Sequence, residues 1–356
     1  MRKKRVGFLI TSSSWTNFQR WHYYTSLALS ERGYDVVIIT PRKNRIYSKT
    51  KNKNITVVPY QQTGILLFDI FKLSKILRKN FINTLFLNYP KDIKVTGFTK
   101  VFSRVGKIYF RKGTASEIKL NWLNKLIFRK YISGIITNSK ANKDEILSEK
   151  PKTAKIPNVE VIYQGLHLER YKKINGQKRQ NRNGEVLKIG IYNGFPYQEN
   201  YCIEILKHLR KDFNTDKINF LLYQDSFSPG FRQNLKKNEF HNLVTIDVVD
   251  KNFKDFLSSV DVFFSTMNLN AFNYSLIYAM VMGKPVIALN EGSNNEIIEH
   301  GKNGYLVDKN NIKTLGNVIE KLQDEEHLEE MGKESMKIVK EKFNFEQSVD
   351  HIEAIL

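Results

Sequence analysis

The chain has 356 residues, with 57 Lys and Arg against 36 Asp and Glu, a formal charge of +21. Apolar residues make up 41% and charged residues 26%, which excludes a disordered chain and at this length points to two globular domains. A single cysteine, Cys202, excludes a disulfide framework and the cysteine-based zinc clusters, and suits a reducing compartment.

The start, Met1-Arg2-Lys3-Lys4-Arg5, has the charge of a signal peptide, but the apolar run Val6 to Ile10 is too short for one and reads as a buried first strand. Phe18 to Arg32 has helical periodicity and is closed by Gly33. Strands follow at Asp35 to Thr40, stopped by Pro41, then at Ile55 to Pro59 and Thr84 to Asn88, with a helix at Phe68 to Lys79. Lys107 to Phe110 and Gly134 to Thr137 continue the series of strands, with a helix at Lys119 to Tyr131 between them. Short apolar strands separated by helices predict a parallel sheet covered on both faces.

Residues 174–186 are polar, contain two glycines and read as a linker. The alternation then restarts, with strands at Leu187 to Tyr192, Asn219 to Tyr223, Leu243 to Asp247, Val262 to Ser265 and Pro285 to Leu289. Helices are predicted at Tyr201 to Lys211, Phe253 to Ser259, Ser275 to Met282, Ile312 to Gln323 and Phe343 to Leu356. The expected organisation is an α/β pair of Rossmann-like βαβ domains, 1–173 and 187–342, facing across a cleft, with 343–356 packing back toward the first. A cleft between the carboxyl ends of two sheets is the default ligand site.

The charge is divided unevenly. Residues 1–175 carry 35 basic and 10 acidic residues, 35 − 10 = +25; the remainder carries 22 and 26, 22 − 26 = −4. So large a positive field attracts nucleic acid, anionic lipid or a polyanionic substrate. Nucleic acid is not expected as a partner, because no helix-turn-helix, zinc finger or RNP aromatic pair is present. A dehydrogenase is disfavoured because no G-x-G-x-x-G follows the first strand. No run reaches the roughly 18–20 apolar residues of a membrane span, so the expected location is cytoplasmic, peripheral on the inner face of the cell membrane.

Four stretches carry a family likeness. Gly134 to Ile146 forms a strand and helix; Val161-Ile162-Tyr163-Gln164-Gly165-Leu166-His167 is close to V-I-x-N-G-V-D; Ala279 to Ala288 is close to E-A-M-A-x-G-x-P-V-I-A; and Gly292 to Glu296 with Gly301 to Val307 follow G-G-x-x-E…G-x-N-G-x-L-V. In these the chain resembles the GT-B glycosyltransferases, specifically the retaining nucleotide-sugar family 4. The likeness is good over 134–356 and holds only in outline before that.

The resemblance implies a UDP- or GDP-linked sugar as donor, no metal or other cofactor, and a donor site in the second domain. It implies donor contacts at Gly194, Asn268, Asn270, Phe272, Asn273, Tyr274, Ser275, Tyr278 and Glu296. Independently of the family, the segment before the helix at 275 presents free amides suited to a phosphate or sugar hydroxyl. The family's two glutamates, eight residues apart, fall here on Asn270 and Tyr278, and its basic pair on Phe195 and Glu199. Each missing charge-assisted donor removes about 2–4 kcal/mol of transition-state stabilisation.

Replacements are sought in the first domain. Ser13, Ser14, Thr16 and Asn17 occupy the family's glycine-pair loop and can bond phosphate oxygens or form a plain solvated turn. Arg111 and Lys112 follow the strand ending at Phe110, where they either face the cleft and bind a phosphate or are solvated. With Asn270, His22 and Arg111 complete the catalytic candidates, His22 reading equally as a packed helix histidine. The expected acceptor is lipid-linked or a surface glycan, and the basic half faces an anionic membrane, with Trp15, Trp21, Tyr23, Tyr24 and Trp122 as interfacial or core aromatics. The alternative is an inactive GT-B binding or regulatory subunit.

Overall fold

The structure, a computed structural model, describes residues 4–12, 17–50, 54–113, 122–148, 157–171, 186–192, 199–213, 215–223, 228–240, 243–246, 252–267, 272–309, 311 and 313–356. The chain divides into two compact units, Met1–Gln164 with Glu346–Leu356, and Gly165–Phe345.

In the first unit the elements run β1 (Arg5–Leu9), α1 (Asn17–Glu31), β2 (Asp35–Thr40), α2 (Ile46–Thr50), β3 (Ile55–Pro59), α3 (Leu66–Lys79) and β4 (Thr84–Leu87). They continue through α4 (Asp92–Phe102), β5 (Lys107–Lys112), α5 (Trp122–Lys130), β6 (Gly134–Thr137), α6 (Lys140–Ser148) and β7 (Val159–Val161). The strands form one parallel sheet in the order β3-β2-β1-β4-β5-β6-β7. Strands such as DVVIIT and GIIT are apolar along nearly their whole length because helices cover both sheet faces.

The second unit repeats the plan with β8 (Leu187–Tyr192), α7 (Glu199–Asp212), β9 (Ile218–Tyr223), α8 (Pro229–Lys237), β10 (Val244–Ile246), α9 (Phe253–Ser258) and β11 (Val262–Ser265). It closes with α10 (Tyr274–Val281), β12 (Val286–Leu289), α11 (Asn294–Ile297), β13 (Gly304–Val307), α12 (Lys313–Lys321) and α13 (Glu325–Lys342). Its parallel sheet has the order β10-β9-β8-β11-β12-β13.

The last helix, α14 (Phe345–Ile355), returns the chain to the first unit. There Arg32 of α1 bonds the carboxylates of Glu346, Asp350 and Glu353, and Lys107 donates to the carbonyls of Ile355 and Leu356 at 2.8 and 3.1 Å. Gly165 sits where the outgoing and returning segments run side by side. A Cβ on it would stand 2.2 Å from the Asn344 carbonyl carbon, so only glycine fits.

Three of the differences from the sequence expectations have a plain physical cause. Strand β5 continues to Lys112, because Arg111 and Lys112 pair with Ile136 and Thr137 of β6. Helix α4 was not expected, since Val95, Thr96, Gly97 and Thr99 are weak helix formers. Packing overrides propensity there: the α-carbon of Gly97 lies so close to α5 that a Cβ would be 2.3 Å from Ile127 Cγ2. Helix α13, also unexpected, is started by Asp324, whose carboxylate accepts from the Glu326 and His327 amides.

Candidate functional site

In each sheet the strand order reverses once, between β1 and β4 in the first and between β8 and β11 in the second. Ligands of open α/β sheets bind outside the carboxyl ends of the strands at such points.

In the first unit, Thr11 follows β1 and Asp92 opens α4 directly after β4. The Asp92 side chain is fully buried. The Thr11 hydroxyl donates to both of its oxygens, at 2.8 and 3.0 Å, and the Gln62 amide donates to one at 2.8 Å. Burial pushes the Asp92 carboxyl up to about 7, while Thr11, Lys91 and Gln62 pull it the other way. In the same unit His22 is buried against Phe8 and Trp21, and its Nδ1 is 2.7 Å from the Asn88 amide nitrogen.

The two cations at the end of β5 point to opposite faces of the sheet, as consecutive strand residues must. Neither is solvated. The Arg111 guanidinium, 1% exposed, lies 4.4 Å from the Trp21 ring centre and donates to Gln164 Oε1 at 3.1 Å. Lys112 forms a buried ion pair with Glu145 of α6 at 2.8 Å. Trp21 thus joins Arg111 and His22 into one cluster, whereas Lys112 already has its counter-charge on the other face.

In the second unit the corresponding floor is neutral. The Asn273 amide, just before α10, donates to Ser265 Oγ at the end of β11 and to Asn294 Oδ1, both at 3.0 Å. Asn294 in turn donates to the carbonyls of Leu289 at 3.0 Å and Met267 at 3.3 Å, and the Ser275 hydroxyl donates to Asn273 Oδ1. All of these side chains are buried. The network fixes both ends of the segment between β11 and α10, of which 268–271 lie outside the described residues, Asn268 and Asn270 among them.

Around this floor the remaining donor candidates separate. Phe272 packs into the core against Phe343, with ring centres 5.4 Å apart, and Tyr274 and Glu296 are half-buried. Tyr278 lies between Tyr171 and Phe253, at 6.2 and 6.4 Å, and Phe253 also meets Tyr192 and Tyr223 at 5.4 and 5.3 Å. These half-buried rings at the ends of β8 and β9 make an aromatic shelf that sequence reasoning missed; the aromatic residue ending each strand was its signal. The Glu199 carboxylate accepts from the Ser228 amide at 2.9 Å and from its hydroxyl, bracing the start of α8.

Gly194, Phe195, Ser13, Ser14, Trp15 and Thr16, as well as residues 174–185 of the linker, lie outside the described residues, as does the side chain of Asn17. Asp92 was missed because α4 was not expected; its place four residues beyond the strand predicted at Thr84 to Asn88 was the available signal. Among the described residues no group of three or more His, Cys, Asp or Glu is placed to hold a metal ion.

Two family models match, one to each half: "Glycosyl transferase 4-like" over residues 5–149 and "Glycosyl transferases group 1" over residues 202–338. Among curated proteins, the chain is 23% identical over 350 residues to an N-acetyl-alpha-D-glucosaminyl L-malate synthase of Bacillus anthracis, covering 92% of this chain and 90% of that one. It is 35% identical over 81 residues to an alpha-1,3/1,6-mannosyltransferase of Neurospora crassa, a match that spans 22% of this chain and 17% of that protein's length. Among solved structures, a glycosyltransferase from Rickettsia africae superposes with a TM-score of 0.83 at 15% identity, covering 100% of this chain and 98% of the other. HepE of Anabaena, in complex with UDP and glucose, superposes with a TM-score of 0.74 at 16% identity over 99% of both chains.

Proposed function

Since the chain is a GT-B glycosyltransferase of the family-4 type, we propose that it moves a sugar, with retention of configuration, from a UDP- or GDP-linked donor to a lipid-linked or surface-glycan acceptor. In this reading it works at the cytosolic face of the membrane in cell-surface polysaccharide synthesis. The observation that carries the donor half is the buried network Ser265–Asn273–Asn294, which holds the loop entering α10 at the strand-order reversal of the second sheet.

The nucleobase stacks on the shelf of Tyr192, Tyr223 and Phe253, where flat aromatic faces offer large contact without an ion. The sugar-diphosphate meets the amides at the start of α10, with Asn270 and Glu296 on the sugar hydroxyls. Tyr278, boxed in by Tyr171 and Phe253, extends the shelf in place of a ribose-binding carboxylate. In the first unit Arg111, held by Trp21 and Gln164, receives the acceptor phosphate, and His22 is the hydrogen-bonding group on the other side of Trp21. Lys112 has its charge matched by Glu145 and is left out of that role.

The membrane placement draws on the +25 charge of residues 1–175. No helix of the described residues is long and apolar enough to cross a membrane, and in this reading attachment is through a surface. One observation favours the second reading, an inactive binding subunit: Glu199, in the family's lysine position, is committed to Ser228 and offers a diphosphate nothing. Isothermal titration with UDP-, GDP- and dTDP-sugars separates the two. Saturable binding of one of them is expected for the transferase; binding of none overturns it.

A further inference from the structure

Isolated apolar residues on a protein surface are ordinary, whereas a contiguous group of large ones marks an interaction site. The first unit has such a group on α3 and α4. Ile65, Leu67, Phe68 and Phe71 at the start of α3 are 66%, 69%, 55% and 56% exposed, and Val101 and Phe102 at the end of α4 are exposed with them. The rings of Phe71 and Phe102 approach to 5.1 Å, so the two helices present one patch. Helix α5, packed on α4 through Gly97, adds Trp122, 76% exposed, and Leu126.

The setting of this patch identifies its partner. Residues 60–107 carry nine Lys and Arg and only two acids, Asp69 and Asp92. Both acids are buried and internally bonded, Asp69 to the Thr63 and Gly64 amides and Asp92 to Thr11 and Gln62. Residues 122–130 add three basic residues and no acid. Along the outer face of α3 the apolar tip gives way to Lys72, Lys75, Arg78 and Lys79. Both carboxylates of these two segments are therefore turned inward, and the charged groups that face out are all cationic.

That combination matches the boundary of an anionic bilayer, where rings and aliphatic chains enter the acyl edge by about 5–10 Å and cations remain among the headgroups. A second copy of the chain fits poorly. A two-fold contact through this face would set Lys72, Lys75 and Arg104 of one copy against the same residues of the other. We propose that the α3–α4 face, with Trp122 beside it, is the surface by which the protein docks on anionic membrane. The inference rests on the reading that the acceptor is lipid-linked, and it adds the particular residues that enter the lipid.

The tip is also held in shape. Gly64, at φ +88°, and the bonds from Thr63 and Gly64 to Asp69 fix the turn that presents Ile65 to Phe68. Gln62, three residues before Ile65, is the group that bonds Asp92 at the strand-order reversal. The docking tip and the floor of the first unit's candidate site thus share one connection.

The test is co-sedimentation of the full chain with phosphatidylcholine vesicles, with and without about 30 mol% phosphatidylglycerol. Binding is expected only with the anionic lipid. Phe68→Glu/Phe71→Glu is expected to weaken it about tenfold or more, and Lys72→Gln/Lys75→Gln/Arg78→Gln to weaken it and flatten its salt dependence. Melting temperature and UDP titration, both expected unchanged in these variants, confirm folding and report the donor reading separately. Absence of binding by the unmodified chain, or undiminished binding by the phenylalanine variant, overturns the docking surface and leaves the transferase reading standing. So does a dimer that the phenylalanine variant dissolves. A chain that binds vesicles but no nucleotide overturns the transferase reading instead.

Discussion

The two units share a topology but stabilise the same place in it by opposite means. At the reversal in the first sheet, the buried polar groups include a carboxylate, a guanidinium, an imidazole and, across the sheet, a lysine paired with a glutamate. At the reversal in the second, the network of Ser265, Asn273, Ser275 and Asn294 is uncharged, and the buried Glu199 carboxylate at the start of α7 is bonded to Ser228 apart from it. Buried charge depends on its partners and on pH, whereas amides and hydroxyls titrate nowhere in the working range. The Asp92 floor is therefore conditional and the Ser265–Asn273–Asn294 network constant. In the proposed transferase reading, this division would put titratable groups in one unit and an uncharged, rigid support for the donor loop in the other.

A pH series is the strongest way to break that contrast. The Asp92 carboxyl titrates near 3.8 when unfolded and at about 7 when folded. The native state thus keeps a proton that the unfolded chain has lost between those values, and stability falls as pH rises through that window, levelling off above it. Asp92→Asn has no such loss. Relative to the unmodified chain, it should gain on the order of 4 kcal/mol between pH 4 and pH 8, measured by urea unfolding. A constant difference across that range would mean Asp92 is ionised throughout.

The ion pair gives the next largest effect. Lys112→Met strands the Glu145 carboxylate and should cost about 3 kcal/mol, while Lys112→Met/Glu145→Leu should recover most of it. A double variant no better than the single one would show that the pair contributes more than the removal of a buried charge. In the neutral floor, Asn294→Ala withdraws the acceptor of Asn273 and the side-chain bonds to the Leu289 and Met267 carbonyls, of which Leu289 keeps the Glu291 amide. The expected loss is about 2 kcal/mol, the same at pH 5 and pH 8, with weaker nucleotide binding in titration. A pH-dependent loss there would erase the distinction between the floors.

Most strands and helices were legible because their signals are local, whereas the short β7 and β13 were not. DVVIIT is β-branched and bounded by Pro41, and the α1 pattern ends at Gly33. Helix α4 was not, because its residues favour other conformations and it persists through contact with Ile127, thirty positions beyond Gly97. The candidate sites divide in the same way. Arg111 and Lys112 were identifiable as cations at a strand end, but their destinations depend on Trp21 and Glu145, which reach them only through the tertiary fold. Asp92 draws its partners from Thr11 and Gln62, 81 and 30 positions away, and no spacing rule connects them.

The return of α14 to the first unit has a consequence for how the molecule is made. Residues 346–356 leave the ribosome only after the entire second unit. Arg32 therefore waits for Glu346, Asp350 and Glu353 while more than three hundred positions of chain are added. Synthesis commonly completes amino-terminal domains first. Here the unit that starts the chain is the later one to be closed, and until then the carbonyl acceptors of Lys107 at Ile355 and Leu356 do not exist.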